Sequence, residues 1–270
     1  MRKLYLLMTL FGFISPCYTQ AWFPLSFPLS AGGTSATDTS RPALFQNPAL
    51  PSYASVPYLY TEYESRYGIT ELASKGLRFA YPFSHFTTTL DFRYTGFSAY
   101  HEMIGGLGFS RNFGTKFSMG LQLMVESRYS VESNRYYLAL YPHWGLTVPL
   151  SDILMLGVVV MNPFQSTMKY NSEKRRLPSV YSLGLNYKFT DELCWRLQAD
   201  QEISNQLRWG TAFEFEMLQC IRVQTGVHYN DFFVPELGLG FKLKKLQFDL
   251  VTTLHPQLGI TLAGGLSFLL

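Results

Sequence analysis

The chain has 270 residues, with 16% aromatic and 15% charged residues and a formal net charge of +3. So small a charge argues neither for nucleic acid nor for an acidic substrate, and no nucleic-acid partner is expected. Beyond Cys17 only Cys194 and Cys220 remain, too few for a disulfide scaffold.

The opening stretch "MRKLYLLMTLFGFISPCYTQ" places Arg2 and Lys3 before an apolar run from Leu4 to Ile14, followed by small and polar residues near Thr19. This pattern predicts a secretory signal peptide over residues 1–19, cleaved near Thr19/Gln20. A lipoprotein reading of Cys17 would need a small residue where "FISP" has Pro16. After the leader no apolar run approaches the roughly 20 residues that a membrane helix needs. An exported chain of this kind is either soluble or a barrel in an outer membrane.

Residues 20–54, which contain "AGGTSATDTSRPALFQNPALPSY", are small, polar and turn-rich. Gly32 and Gly33 permit positive φ or close approach to a wall, and Asn47-Pro48 initiates a turn. Asp38, Asn47 and the hydroxyl side chains can bond backbone groups that no ladder serves. Two readings stand side by side: a plug or latch folded against the inner wall of a barrel, or a plain linker.

From residue 55 onward the sequence alternates with a period of two. In "SLGLNYKF", Leu183, Leu185, Tyr187 and Phe189 oppose Ser182, Gly184, Asn186 and Lys188. In "LRWGTAFEFEM", Leu207, Trp209, Phe213, Phe215 and Met217 oppose Arg208, Gly210, Ala212, Glu214 and Glu216. A soluble sandwich would also alternate. A membrane barrel is preferred because the segments run to the 9–11 residues that a tilted membrane strand needs, against about 5–6 for an ordinary strand. Aromatic residues also gather toward strand ends, as in "YLYTEYESRY" and "NRYYLALYPHW", which suits interfacial girdles.

The turns divide the chain into 14 strands: 55–66, 71–81, 85–96, 102–111, 115–127, 135–149, 152–162, 178–190, 192–202, 206–217, 219–230, 234–244, 245–254 and 257–270. The fold class is therefore all-β, a transmembrane antiparallel barrel over residues 55–270 behind a latch over residues 20–54. The longest connections, "SRYSVESN" and "NPFQSTMKYNSEKRRLP", fall on odd positions, as they should if both chain ends are periplasmic. Cys194 and Cys220 begin strands separated by a whole strand, roughly 9–10 Å, so both thiols are expected to stay reduced.

The segment "SAGGTSATDTSRPALFQNPAL" resembles the N-terminal signature of the FadL-like superfamily of outer-membrane barrels, most closely its PorV/PorQ branch in Bacteroidota. The matching positions are Gly32, Gly33, Asp38, Asn47, Pro48, Ala49 and Leu50. The resemblance implies a 14-stranded barrel in the outer membrane of a Gram-negative bacterium. It also implies an accessory of type IX secretion that binds exported cargo proteins or surface-attachment partners. The other reading is a FadL-like transporter, in which a hydrophobic solute passes the N-terminal segment and leaves laterally through a strand kink. A charged inner face and short outer loops place the accessory first.

Chemistry for catalysis is weak. His85, His101, His143, His228 and His255 show no metal-ligand spacing, and no metal or cofactor is expected. His143 near Ser127 or Ser130 is the local candidate for a hydrolase dyad, but a girdle or loop histidine is the simpler account. "GGLGFS" opens no helix, so a dinucleotide reading fails. The protein is not expected to be an enzyme. Lys174, Arg175 and Arg176, in the longest outer loop, are candidate contacts to lipopolysaccharide or a partner such as a secretion-machine subunit. The inward charges Arg78, Asp91, Arg93, Lys116, Glu126, Lys188, Arg196, Asp200, Arg208, Glu214, Glu216, Arg222, Lys242 and Asp249 are of mixed sign. They predict internal salt bridges and no selectivity ring.

Overall fold

In a computed structural model, residues 30–170, 173–203 and 207–270 are described. The expected leader, Cys17 and residues 20–29 lie outside them. The strands are β1 (Tyr58–Ser65), β2 (Ser74–Pro82), β3 (Thr87–Phe97), β4 (Tyr100–Asn112), β5 (Ser118–Ser130), β6 (Arg135–Ser151), β7 (Leu154–Met161), β8 (Thr167–Tyr170), β9 (Glu173–Arg176), β10 (Val180–Lys188), β11 (Leu193–Glu202), β12 (Leu207–Met217), β13 (Ile221–Asn230), β14 (Phe232–Leu243), β15 (Leu246–His255) and β16 (Gly259–Leu269). Fourteen of them close into one antiparallel barrel, and β8 and β9 form a separate hairpin.

Each of the 14 expected strands has its counterpart. Closure pairs β1 with β16, from Tyr58↔Leu269 to Ser65↔Leu262, and leaves no free edge at the seam. The alternation holds residue by residue: Leu183, Phe213, Leu237 and Leu239 are exposed outside, whereas Gly184, Glu214 and Gly238 are buried inside. Outward leucines such as Leu90 (60% exposed) and Leu138 (65%) belong to a wall-wide apolar surface that only lipid or detergent can cover. No described helix is long and apolar enough to cross a membrane.

Two aromatic clusters bracket the apolar band. Phe79, Tyr81, Phe83, Phe86 and Phe109 pack in succession at the end holding the β2–β3 turn. Tyr94, His101, Tyr129 and Tyr136 stack at the other. Phe109 and His101 lie on the same strand eight residues apart, which is about 27 Å along it and about 21 Å of height at a tilt near 40°. That is close to the roughly 25 Å apolar band of an outer-membrane barrel.

Several expectations need correction. The long connection after β7 carries a hairpin, β8–β9, that the 14 expected strands did not include. Lys116 lies in the turn between β4 and β5, whereas Lys188 and Lys242 keep the inward parity of their strands but stand exposed at the same rim, Lys242 beside the plug. His143 is buried in the lumen rather than in a girdle or loop. It pairs with Gln122, whereas Ser127 pairs with Leu138 and Ser130 with Arg135, so no dyad forms. Cys194 and Cys220 are free thiols, with β12 between them.

Candidate functional site: a plug docked across the lumen

The segment Ser30–Ala54 lies inside the barrel. Its first short 3-10 turn, Ala31–Gly33, packs against β12, β13 and β14, and its last, Leu50–Tyr53, against β3, β4 and β5. The chain thus spans the lumen from wall to wall. An irregular backbone in this position must find its hydrogen bonds in the protein.

Glycines on the inner wall make room for it. Gly120 and Gly145 face each other across β5 and β6, and a Cβ on either would run into the Asn47-Pro48 turn. Gly157 and Gly184 form a second cross-strand pair on β7 and β10, occupied by Ala36 and Thr37. Gly210 and Gly226 approach Gly32. Glycine in a strand interior costs stability and here marks the close approach of another backbone.

Most of the motif positions hold the plug by hydrogen bonds. Gly32 and Gly33 adopt positive φ, 65° and 64°, which costs other residues strain. The Gly32 amide donates to Glu236 Oε2 at 2.8 Å. Asn47 Nδ2 donates to the Ala36 carbonyl at 2.7 Å and to Leu146 of β6 at 3.1 Å. Asn47 Oδ1 accepts from the Ala49 amide at 3.0 Å and closes the turn around Pro48. Leu50 then buries its side chain.

Asp38 is the electrostatic hub. Its carboxylate meets Arg41 Nε at 2.9 Å and Arg196 Nη1 at 2.8 Å, and both arginines also meet Glu214. Ser30 Oγ donates to it at 2.6 Å. Burial alone would raise this carboxyl's pKa, but Arg196 and Arg41, with the Ser30 and Ser40 hydrogen bonds, outweigh it and hold the pKa well below the usual carboxylate range. Two arginines balance two carboxylates, and the plug supplies one of each.

Further pairs line the rest of the inner wall: Arg78–Asp91 (2.6 Å), Arg93–Glu62, Arg128 with Glu102 and Glu126 (2.9 and 2.6 Å), and Arg222–Asp249 (2.8 Å). Opposite charges held in contact leave no ring of one sign. Glu62, Glu102, Arg128 and Glu236 belong to this interior, although sequence reading did not single them out. Their inward parity in "TEYES", "YHEM", "VESRY" and "VPELG" was the available signal. No metal-ligating group occurs among the described residues.

The wall is uneven at one place. β7 ladders with β6 only from His143 to Ser151, so Tyr136–Tyr141 pair with β5 and have no barrel strand on their other side. The β8–β9 hairpin backs this edge from within, with Tyr170 against Tyr137 at 4.5 Å between ring centroids. Behind the edge Tyr141, Met161, Met168, Leu177 and Val180 form a buried apolar patch. Lys174, Arg175 and Arg176 lie on β9, away from the plug, with Arg175 over the Tyr170 ring. They are exposed, and no part of the interior ion-pair network.

These features define a plugged transmembrane β-barrel. No family model matches the sequence, and neither does any curated protein. Solved structures are similar in fold: the Pseudomonas putida toluene transporter TodX (TM-score 0.64, 10% identity, 90% of this chain and 95% of that one). The CymD monoaromatic hydrocarbon channel aligns at 0.62 and 10% identity, over 90% of this chain and 94% of its own. A Pseudomonas aeruginosa FadL homologue aligns at 0.56 and 12%, over 90% and 95%. The fold is thus that of FadL-type outer-membrane barrels, as the N-terminal motif led us to expect. The narrower PorV/PorQ assignment gains nothing from these similarities.

Proposed function

We propose that the protein is an outer-membrane channel for small hydrophobic molecules, and not an enzyme. The observation that carries this reading is the apolar patch behind the bare edge of β6. A solute entering at the outer mouth meets the plug and its ion pairs, which obstruct a straight path. Tyr141, Met161 and Met168 offer it an apolar surface beside a wall edge without a strand partner. Movement of the β8–β9 hairpin would connect that patch with the membrane. Similarity in fold to channels for toluene and monoaromatic hydrocarbons supports the same reading.

This reverses the order of the two readings drawn from sequence. The charged inner face was taken to disfavour a continuous apolar tunnel, but part of the buried apolar cluster, including Tyr137, Tyr141, Met161, Met168 and Val180, lies beside the edge where β7 ends early. The type IX accessory reading keeps one supporting observation, the obstructed lumen. Uptake of a labelled monoaromatic compound by Gram-negative cells separates the two. Cells producing the protein should accumulate it faster than cells carrying an empty vector. Equal accumulation, with recovery of secretion-machine subunits on affinity purification, would reverse the order again.

A further inference from the structure

At the mouth where both barrel ends lie, a cavity of about 190 Å³ opens between the plug and the wall. Leu50 and Pro51 of the plug and Leu269 of β16 give it an apolar floor. Lys242, Lys244 and Lys245, around the β14–β15 turn, stand at its side. Asp249, the carboxylate two residues from Gln247 on this wall, is already engaged by Arg222 at 2.8 Å and Gln247 at 2.9 Å. Arg41 and Arg78, which also border the cavity, are paired with Asp38, Glu214 and Asp91. Three cations that form no ion pair among the described residues therefore face an apolar hollow whose other charges are neutralised.

We propose that this cavity binds a small carboxylate with an apolar body. An apolar cavity of about 150 Å³ accepts benzene, so this one suits roughly six to nine non-hydrogen atoms. The lysines supply the anion site, since an ammonium group donates up to three charge-assisted hydrogen bonds. Plug and wall would share the ligand, because the floor belongs to the plug and the lysines to the barrel. Gln247 already ties the two together by donating to the Ser40 carbonyl at 3.2 Å. The proposal does not depend on transport, because binding can be measured with the channel idle.

The test uses the full chain in phosphatidylcholine nanodiscs, titrated calorimetrically with benzoate, with benzyl alcohol as a neutral analogue and with inorganic phosphate. Benzoate should bind at one saturable site and more tightly than either control. The double substitution Lys242→Gln/Lys244→Gln should weaken benzoate about tenfold or more and leave benzyl alcohol unchanged. Lys188→Gln, on the same rim but outside the cavity, should change nothing. Heat-modifiable migration on a gel confirms that each variant folds. Absence of benzoate binding, an equal loss in Lys188→Gln, or phosphate binding as tightly as benzoate would overturn the proposal.

Discussion

Gly145→Ala tests the docking of the plug directly. The added Cβ would lie 2.7 Å from Pro48 Cδ and 2.9 Å from Pro48 N, with Asn47 Oδ1 closer still. Most of the obstructing atoms belong to a turn fixed by proline and by the Asn47–Ala49 hydrogen bond, so no flexible side-chain end can move aside. Overpacking of this kind costs about 1–3 kcal/mol. The β5–β6 and β6–β7 ladders need no change, so the cost falls on the docked state of the plug rather than on the barrel. The undocked population should rise about 5- to 150-fold, since about 1.4 kcal/mol is a factor of ten. Phe45 is fully buried, and chymotrypsin cleavage after it reports undocking. Gly105→Ala serves as the control, because its Cβ would meet nothing closer than 4.0 Å. Faster cleavage after Phe45 in Gly145→Ala, with an intact barrel, is the expected result. Cleavage at the wild-type rate in both variants would refute the argument that the wall glycines hold the plug.

Asp38→Asn leaves Arg41 and Arg196 facing Glu214 alone, and removing one member of a buried ion-pair set costs about 3–5 kcal/mol. Plug protection should fall more than in Gly145→Ala in the same protease assay, and equal protection would count against the hub. Because the folded pKa of Asp38 is depressed, its stabilisation is complete above the unfolded value near 4 and is lost only as pH falls through the lower folded value. Protection of Phe45 in the wild type should therefore be the same at pH 8 and pH 5, and a loss between them would contradict this assignment. Tyr170→Ala removes a ring contact worth about 0.5–1.5 kcal/mol, so hydrogen exchange over the β8–β9 hairpin should quicken several-fold while the barrel ladders stay protected. Alkylation of the denatured protein without reductant should modify both Cys194 and Cys220, and a 194–220 disulfide in the mass spectrum would contradict the strand order.

The strands were legible because one physical fact repeats through them: lipid on one side and protein on the other force an alternation of two. β10 and β12 show it most plainly, since Leu183 and Phe213 face out while Gly184 and Glu214 face in. The β8–β9 hairpin was not legible, because "TMKY" and "EKRR" are too short to display a period. The plug residues carried a recognisable motif, but not their receptors. Gly120, Gly145, Gly157 and Gly184 are scattered in sequence and become pairs only once the register joins β5 to β6 and β7 to β10. The apolar patch was hidden for a related reason. Tyr141, Met161, Met168 and Val180 belong to four different strands and meet only because β7 is short.

A photoreactive hydrophobic solute puts the route through that patch to the test. A small diazirine-bearing aromatic compound, activated in native outer membranes, should label Met161 and Met168, and an excess of unlabelled solute should suppress that label. Labelling confined to outward residues such as Leu138 and Leu183, with no suppressible label at either methionine, would contradict the route and with it the channel reading.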